Sequence, residues 1–473
     1  MSNCNRTPAI IALTICFTVA VALGGVSTTK DDNLESWQRQ ITLRDSSITL
    51  NSGIYQTASG KIEIKAPVTF TIEPGPIITV MDESVRLSAD KPESWYKGTR
   101  LAGPFAKELN AEGSYVPGSL SIRKSIGGPK LVEGKDYLIS PEHGMVGLAP
   151  GSPLSPKEPV FASYQYGLLR LDSIVVDGGG KARLLKGELA IARPQPPELP
   201  PGTKRLLNVF RPFHSTTLNR EDIFPVLERP DQAVTRTSHG RIPKTIAKIK
   251  ASRAVRIVCL GDSVTAGGNS SKLELMYSEV FRRAIMEKYA WPSPERVPLL
   301  SINVINESYG GSCSSQWLRI GRLKNYLDEH PEMVGNAKER IDFQRVLELK
   351  PDLVTVEFVN DAPFTRTELE ELYGKMLDEL KKIGAELILI TPHFTSMECM
   401  NVKSLRTTDP RPYVQFLYEF AEQHHLGIAD ASGRWAHLWK EGIPYVTLLD
   451  NSFNHPDDQG HRFFAEEILK NFE

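Results

Sequence analysis

The sequence has 473 residues, of which 40% are hydrophobic and 24% are charged, and its formal net charge is −1. This length exceeds one ordinary hydrophobic core and predicts two or three domains. The near-neutral charge gives no reason to expect a nucleic-acid partner. The densest basic run, at 241–256, is interleaved with apolar residues and predicts the solvated face of a connecting helix.

The N-terminus differs in composition from the rest of the chain. Arg6 precedes an apolar run that is followed by small and then polar residues. This pattern predicts a secretory signal peptide over 1–28, cleaved near Ala20–Ala22 or 24–27. An uncleaved membrane anchor is the alternative, because the run is nearly long enough to cross a bilayer. We therefore expect a protein that is secreted, periplasmic or at the cell surface, with no stable membrane span after cleavage.

Residue spacing does not indicate a cofactor. Cys259, Cys313 and Cys399 follow the predicted signal, and they allow at most one disulfide. Cys259 lies in an apolar strand pattern and is expected to be a core residue. No Cys/His spacing predicts a metal site, and the Gly-rich stretches at 177–181 and 261–268 match no nucleotide-binding loop. We predict no metal and no cofactor.

Residues 36–192 alternate between polar and apolar positions in short segments separated by Gly, Pro and Asp. This pattern predicts a β-rich, sandwich-like accessory domain, in which we recognise no catalytic constellation. Its aromatic residues are expected in the core, and a carbohydrate-binding platform is the alternative. They are Trp37, Tyr55, Trp95, Tyr96, Tyr115, Tyr164 and Tyr166. A Pro-rich linker and connecting segment is predicted for 193–253.

From 254 to 473, strand-like and helix-like segments alternate. Five short apolar strands are separated by amphipathic stretches, one of which begins at a Thr365 cap and ends at Gly384. Repeated βα units predict a parallel sheet covered by helices on both faces. In such sheets, ligands bind at the carboxyl ends of the strands.

Polar residues follow several of these strands. Ser263 comes after the first strand, and Asn360 comes after the third. The other candidates are Asp262, Asn306, Gly310, Gly311, Asp361, His455 and His461. Each has an ordinary use as a helix cap or turn residue. Together they supply a nucleophile, a base and amide donors, which is the inventory for acyl transfer.

The blocks "GDSVTAGG", "NESYGGS", "VND" and "NHPDDQGH" occur in this order. Over 254–473 the sequence resembles the SGNH (GDSL-like) hydrolase family, which implies a flavodoxin-like three-layer α/β/α fold. The resemblance implies Ser263 as the nucleophile and His455 as its base. It also implies an oxyanion hole made by the backbone of Ser263, the backbone of Gly311 and the side chain of Asn360. Asp262 and His461 are expected to hold local structure.

One position departs from the family pattern. The family's acid three residues before the base is replaced by Ser452. Three alternatives stay open: Asp450 contacts the imidazole from a bulged loop, Asn451 or a backbone carbonyl orients it in a Ser-His dyad, or activity is reduced or lost.

We therefore predict an exported serine esterase that removes small acyl groups, acetyl above all, from a carbohydrate such as an acetylated polysaccharide. A lipase-like or thioesterase-like acylhydrolase is one alternative. A non-catalytic cell-surface carbohydrate-binding protein on a relic hydrolase fold is another. Acyl transfer to a sugar hydroxyl is also open, because the acyl-serine half-reaction would be the same.

Overall fold

The computed structural model describes residues 32–93, 96–290, 301–320 and 340–473. The predicted signal peptide and Trp95 lie outside these residues. Among the residues described, no helix has the length and hydropathy needed to span a bilayer. We call residues 32–225 the β-rich half and residues 255–473 the α/β half.

The β-rich half begins with the helix Asp32–Gln40 and continues as short strands. In chain order these are β1 (Ile41–Arg44), β2 (Ser47–Leu50), β3 (Gly53–Thr57), β4 (Gly60–Ile64), β5 (Val68–Thr71), β6 (Ile77–Arg86), β7 (Thr99–Arg100), β8 (Phe105–Ala106), β9 (Leu109–Asn110), β10 (Ser121–Arg123), β11 (Tyr137–Ser140), β12 (Met145–Leu148), β13 (Pro159–Gly167), β14 (Arg170–Asp177), β15 (Ala182–Leu185), β16 (Thr203–Arg211) and β17 (Ile223–Pro225). Antiparallel ladders join them in the orders β1-β2-β5, β10-β13-β6, β11-β12-β7 and β15-β14-β16-β17, and as the pairs β3-β4 and β8-β9. The prediction of a strand-dominated first half is confirmed.

Period-two patterning places the side chains of these strands. Val160, Ala162 and Tyr164, at alternate positions of β13, are buried in one hydrophobic cluster. A second cluster forms around Trp37 and Tyr55, whose rings meet edge to face at 4.8 Å between centroids. Trp37, Tyr55, Tyr115 and Tyr164 are buried core residues, as expected, whereas Tyr96 and Tyr166 are half-buried.

The segment 193–253, predicted as linker, contributes regular structure. Its apolar run forms β16, which pairs with β14 along the length of that strand, and β17 follows as the edge. Within the basic run, the helix Pro243–Lys250 buries Thr245 and Ile249 and leaves Lys244 and Lys250 exposed, while Lys248 pairs with Asp352. Apolar β16 side chains that would be exposed in a linker are buried here instead.

The α/β half contains a five-stranded parallel sheet. Its strands are β18 (Val255–Gly261), β19 (Ile302–Ser308), β20 (Leu353–Glu357), β21 (Glu386–Ile390) and β22 (Gly427–Ala429). They lie in the order β19-β18-β20-β21-β22, so the chain crosses from one edge back over β18, as in a flavodoxin-like sheet. The predicted three-layer α/β/α fold is confirmed.

Alternation along the strands divides the core into two layers. Ile257 and Cys259 face the helices Tyr277–Ile285 and Asp458–Leu469, and Val258 and Leu260 face the helices Arg366–Ile383 and Pro412–His424. This is the physical reason that the inner strands β18 and β21 are apolar at nearly every position, in contrast to the edge strand β19. The remaining α-helices that the structure describes in this half are Ser314–Leu318, Phe343–Glu348 and Ala431–Ala436.

The predicted helix boundaries at Thr365 and Gly384 are also present. The Thr365 hydroxyl accepts a hydrogen bond from the backbone N–H of Glu368, and the Glu368 carboxylate accepts one from the N–H of Thr365. Gly384 adopts a φ of +75°, the left-handed conformation that closes the last turn.

The two halves share a hydrophobic cluster. Leu171, Phe210 and Phe224 of the β-rich half pack with Trp435 and Tyr445 of the α/β half. Beside it, the side-chain amide of Asn208 donates to the carbonyl of Gly442 over 2.6 Å. This continuous core holds the β-rich half against the edge where the parallel strands end.

Candidate active site

Ser263 lies two residues beyond the end of β18, on a turn that the sequence shapes through two features. A Cβ at Gly261 would lie 2.3 Å from the Glu357 carbonyl oxygen, so only glycine lets β18 and β20 approach here. The turn then closes by a hydrogen bond of 2.7 Å from the N–H of Gly268 to the carbonyl of Ser263.

The Asp262 side chain stabilises this turn through hydrogen bonds with backbone amides. It is fully buried, and its carboxylate accepts hydrogen bonds from the N–H groups of Val264 at 3.0 Å and Asn360 at 3.2 Å. Burial raises the pKa of Asp262 to about 6, against the opposing effect of these amides. As predicted, Asp262 binds loop amides, and it ties the Ser263 turn to the loop after β20.

His455 faces Ser263 from the loop before the helix Asp458–Leu469. Its Nε2 lies 2.9 Å from the Ser263 Oγ, a hydrogen-bond distance. The side-chain oxygen of Asn451 accepts from the N–H groups of Phe453, Asn454 and His455 and shapes this loop. The structure therefore brings the predicted nucleophile and base together across 192 residues of sequence.

The other ring nitrogen of His455 meets a residue from the β-rich half. Its Nδ1 lies 2.6 Å from the Glu108 Oε2, and the side-chain amide of Asn451 donates to the same oxygen over 3.1 Å. Burial opposes ionisation of Glu108. Hydrogen bonds with His455 and Asn451, together with the nearby charges of His455 and Lys107, outweigh this effect, so the pKa of the Glu108 carboxyl lies below its usual value.

Asp450, the candidate acid from the sequence, does not bind the imidazole. Its carboxylate, 9% exposed, forms ion pairs with Lys107 and with Arg193, the latter at 2.5 Å. The assignment of Asp450 as the acid is contradicted by this geometry. The reason is that two cations occupy its oxygens while Glu108 occupies the Nδ1 side of His455.

The three predicted oxyanion donors lie around the same cavity. Ser263, Gly311 and Asn360 all line it, and Gly311 adopts a φ of +76°, which favours glycine. The side-chain amide of Asn360 donates to the Ser312 carbonyl over 2.9 Å, which fixes its orientation at the cavity edge. The structure thus gathers every predicted donor at one end of the sheet.

The cavity above Ser263 has a volume of about 600 Å³. Carbon atoms contribute more of its lining surface than nitrogen and oxygen atoms do, although several of the lining side chains are polar. The lining comprises Arg100, Glu108, Leu109, Ser263, Ala266, Gly267, Gly268, Tyr309, Gly310, Gly311, Asn360, Asn451, Asn454 and His455. Arg100, Glu108 and Leu109 come from the β-rich half, so both halves form its walls.

Several candidate residues hold structure instead of lining the cavity. His461 is fully buried and binds the Gly268 carbonyl at 3.0 Å, and burial lowers its pKa to about 4. The side-chain amide of Asn306 donates to the Thr265 carbonyl over 2.6 Å. Asp361, whose pKa burial raises to about 7, accepts from the N–H of Ser314.

Among the described residues, Glu142, His143 and Glu398 place possible metal-ligand atoms within 4.8 Å of one another. None of these three side chains lines the Ser263 cavity. Cys259 and Cys399 are free thiols, and Cys259 is a fully buried core residue as expected, while the Cys313 Sγ lies 3.1 Å from the Ser315 Oγ.

Glu108 is the site residue that sequence reasoning missed. It was placed in a segment where no catalytic constellation was recognised, and 347 residues separate it from His455. No motif marks it, because its position depends on how one hairpin of the β-rich half packs against the α/β half.

Comparison with known proteins bears on the α/β half. Residues 259–463 match the model of the GDSL-like lipase/acylhydrolase family. No curated protein matches the chain. The predicted family is confirmed for this region.

The chain is also similar to solved structures. A two-domain esterase active on acetylated mannans is 22% identical over 50% of this chain and 53% of its own, with a TM-score of 0.37. A psychrotrophic esterase from Pseudoalteromonas sp. is 14% identical over 46% of this chain and 95% of its own, with a TM-score of 0.30. The chain thus spans about half the length of the two-domain esterase.

Proposed function

Because residues 259–463 form a domain of the GDSL-like lipase/acylhydrolase family, we propose that the protein is an exported serine esterase that hydrolyses small acyl esters. The observation that carries the proposal is the 2.9 Å contact between His455 Nε2 and Ser263 Oγ at the edge of an open cavity. A serine is a weak nucleophile unless a base lies within hydrogen-bond reach, and here it does.

The chemistry follows from this contact. The Ser263 oxygen attacks the ester carbonyl carbon while its proton passes to His455 Nε2. The bond to the alcohol breaks as His455 returns that proton to the leaving oxygen. A water molecule then attacks the acyl-serine carbonyl carbon while its proton passes to His455 Nε2. The tetrahedral intermediate breaks its bond to the Ser263 Oγ, which receives that proton from His455, and the carboxylic acid is released.

Both tetrahedral intermediates carry a negative oxygen that needs donors. We assign the backbone N–H groups of Ser263 and Gly311 and the side-chain amide of Asn360 to this role. Asp262 supports the arrangement, because its carboxylate accepts hydrogen bonds from the backbone N–H groups of Asn360 and of Val264, next to the nucleophile. Donors held in place before reaction stabilise developing charge without reorganisation.

The polar side chains that line the cavity, Arg100, Asn451 and Asn454 among them, support a polar alcohol part in the substrate. We propose an acetylated carbohydrate as the substrate class, with export directed by the predicted signal peptide at 1–28.

Hydrolysis of p-nitrophenyl esters of increasing chain length tests the proposal. We expect acetate to be cleaved best. The variants Ser263→Ala and His455→Ala should each lose at least a thousandfold in kcat, because one removes the nucleophile and the other its base. Release of acetate from acetylated mannan and xylan would then identify the polymer.

Three outcomes would redirect the assignment. A preference for long acyl chains would favour a lipase-like or thioesterase-like enzyme. A wild-type protein as inert as both variants would favour a carbohydrate-binding protein. Products that appear only with a sugar acceptor would indicate acyl transfer.

A further inference from the structure

We infer that Glu108, a residue of the β-rich half, is the carboxylate that positions His455, so that the two halves build one active site. The inference rests on the proposed function and deepens it. It assigns the orienting acid, which neither Ser452 nor Asp450 supplies, to a segment that precedes the nucleophile by more than 150 residues.

The first support is the shape of the segment that carries Glu108. Strands β8 and β9 pair Phe105 with Asn110 and Ala106 with Leu109, so that Lys107 and Glu108 form the tip of a short hairpin. Lys107 has a φ of +62°, the left-handed region that tight turns require. The tip projects both long side chains toward the loop that carries His455.

The second support is the anchoring of this tip. The Lys107 ammonium donates to the Asp450 carboxylate and, over 3.1 Å, to the Asn269 carbonyl. Arg193 binds the other Asp450 oxygen and lies 3.4 Å from Asp457, which caps the next helix. A carboxylate as buried as Asp450 needs such partners. Asp450 therefore holds the hairpin to the α/β half, and its oxygens are occupied.

The third support is the chemistry at the imidazole. A carboxylate at Nδ1 keeps the proton on that nitrogen, which leaves the Nε2 lone pair free to accept the Ser263 proton. It also stabilises the imidazolium that forms in each step. Glu108 meets the requirement, because it lies 2.6 Å from Nδ1 and Asn451 fixes the same oxygen from the other side.

Kinetics of the full-length protein with p-nitrophenyl acetate test the inference. We expect Glu108→Gln to lower kcat by about 10² to 10⁴, because glutamine permits the wrong tautomer, with KM changed by less than threefold. Glu108→Ala should lose as much and recover part of its rate with added formate, which fits the vacated space. Glu108→Asp should retain more activity than Glu108→Gln.

Two further variants complete the comparison. Asp450→Asn should lower kcat less than Glu108→Gln does, because it weakens one anchor of the hairpin but keeps the Glu108 carboxylate. Glu158→Gln is the matched control in the same half, since its carboxylate is 61% exposed and pairs with Lys124 at the surface. We expect the control to retain wild-type kinetics.

The outcomes separate this inference from the proposed function. If Ser263→Ala and His455→Ala lose activity while Glu108→Gln keeps kcat within twofold of the wild type, the inference is overturned and the esterase assignment stands. A larger loss in Asp450→Asn than in Glu108→Gln, or no formate rescue in Glu108→Ala, would also overturn it. Full activity in Ser263→Ala would instead overturn the proposed function.

Discussion

Gly268 sets the space available to the His455 ring. A Cβ at this position would lie 2.9 Å from the Ser263 carbonyl oxygen and 3.2 Å from two carbons of the imidazole. The same residue's carbonyl binds the buried His461. The Gly268 backbone is therefore held by His461 on one side and packs against the His455 ring on the other. A methyl group added at Gly268 cannot be accommodated by a small shift of this backbone.

The substitution Gly268→Ala should therefore lower kcat. A displacement of the base by a fraction of an ångström predicts a loss of roughly ten- to a hundredfold, with little change in KM. Gly374→Ala is the control, because a Cβ there meets nothing within 4 Å and the residue lies inside a helix. Equal kcat values for Gly268→Ala and the wild type would show that the imidazole does not need this space.

At the scale of elements, acidic side chains meet where two loops of the opposite halves approach. Glu112 follows the Glu108 hairpin, and it shares a hydrogen bond with Glu398 of the α/β half. Burial raises the pKa of Glu112 to about 8, and the neighbouring carboxylates of Glu398 and Glu142 add to the effect. The folded protein therefore holds a proton here that the unfolded chain releases near pH 4.5.

This proton makes stability depend on pH. Between about pH 4.5 and 8 the folded state binds more protons at Glu112 than the unfolded state, so the free energy of unfolding should fall as pH rises. Glu112→Gln removes the titration. The Tm of Glu112→Gln minus the Tm of the wild type should increase between pH 6 and pH 9. The increase should be about 2 °C for each kcal/mol by which ionisation of Glu112 destabilises the wild type. A constant Tm difference between the two proteins across this range would contradict the assignment.

At the scale of the whole molecule, the hydrophobic cluster shared by the two halves packs them together, and the hairpin that carries Glu108 belongs to one of these halves. Phe224 is fully buried there, next to Trp435 and Tyr445. Backbone hydrogen bonds lie beside this cluster, along the same interface. One of them is the 2.6 Å bond from the Leu227 N–H to the Lys440 carbonyl. If this packing is lost, we expect the hairpin that carries Glu108 to shift relative to His455.

We expect Phe224→Ala to lower the free energy of unfolding by about 3–5 kcal/mol, because it removes a buried ring and leaves a cavity. Esterase activity should be lost at a correspondingly lower temperature. Urea denaturation followed by fluorescence and by activity measures both effects. Met81→Ala is the control, since that side chain is 68% exposed and should change stability by less than 0.5 kcal/mol. An unchanged midpoint in Phe224→Ala would mean that the cluster does not join the halves.

The helices and strands that were predicted correctly are those whose boundaries and patterning are set by residues close together in the sequence. The helix Arg366–Ile383 has its capping residue and its terminal glycine in the sequence, and β18 has its apolar run. Ser263 and His455 could be predicted as partners, because loops at the carboxyl ends of parallel strands share one edge of the sheet. The strand β16 was missed because a Pro-rich stretch precedes it, although its own residues are apolar.

By itself, the sequence determined the parallel sheet, the family of the α/β half and the strand-end candidates, since periodicity and motif spacing act over a few residues. Only the tertiary structure decided which carboxylate faces His455. Asp450 is five residues from the imidazole along the chain, yet Lys107 and Arg193 hold its oxygens, and Glu108 arrives from 347 residues away. Which carboxylate contacts His455 depends on how two hydrophobic surfaces pack and on how buried charges pair. Neither produces a periodic pattern in the sequence.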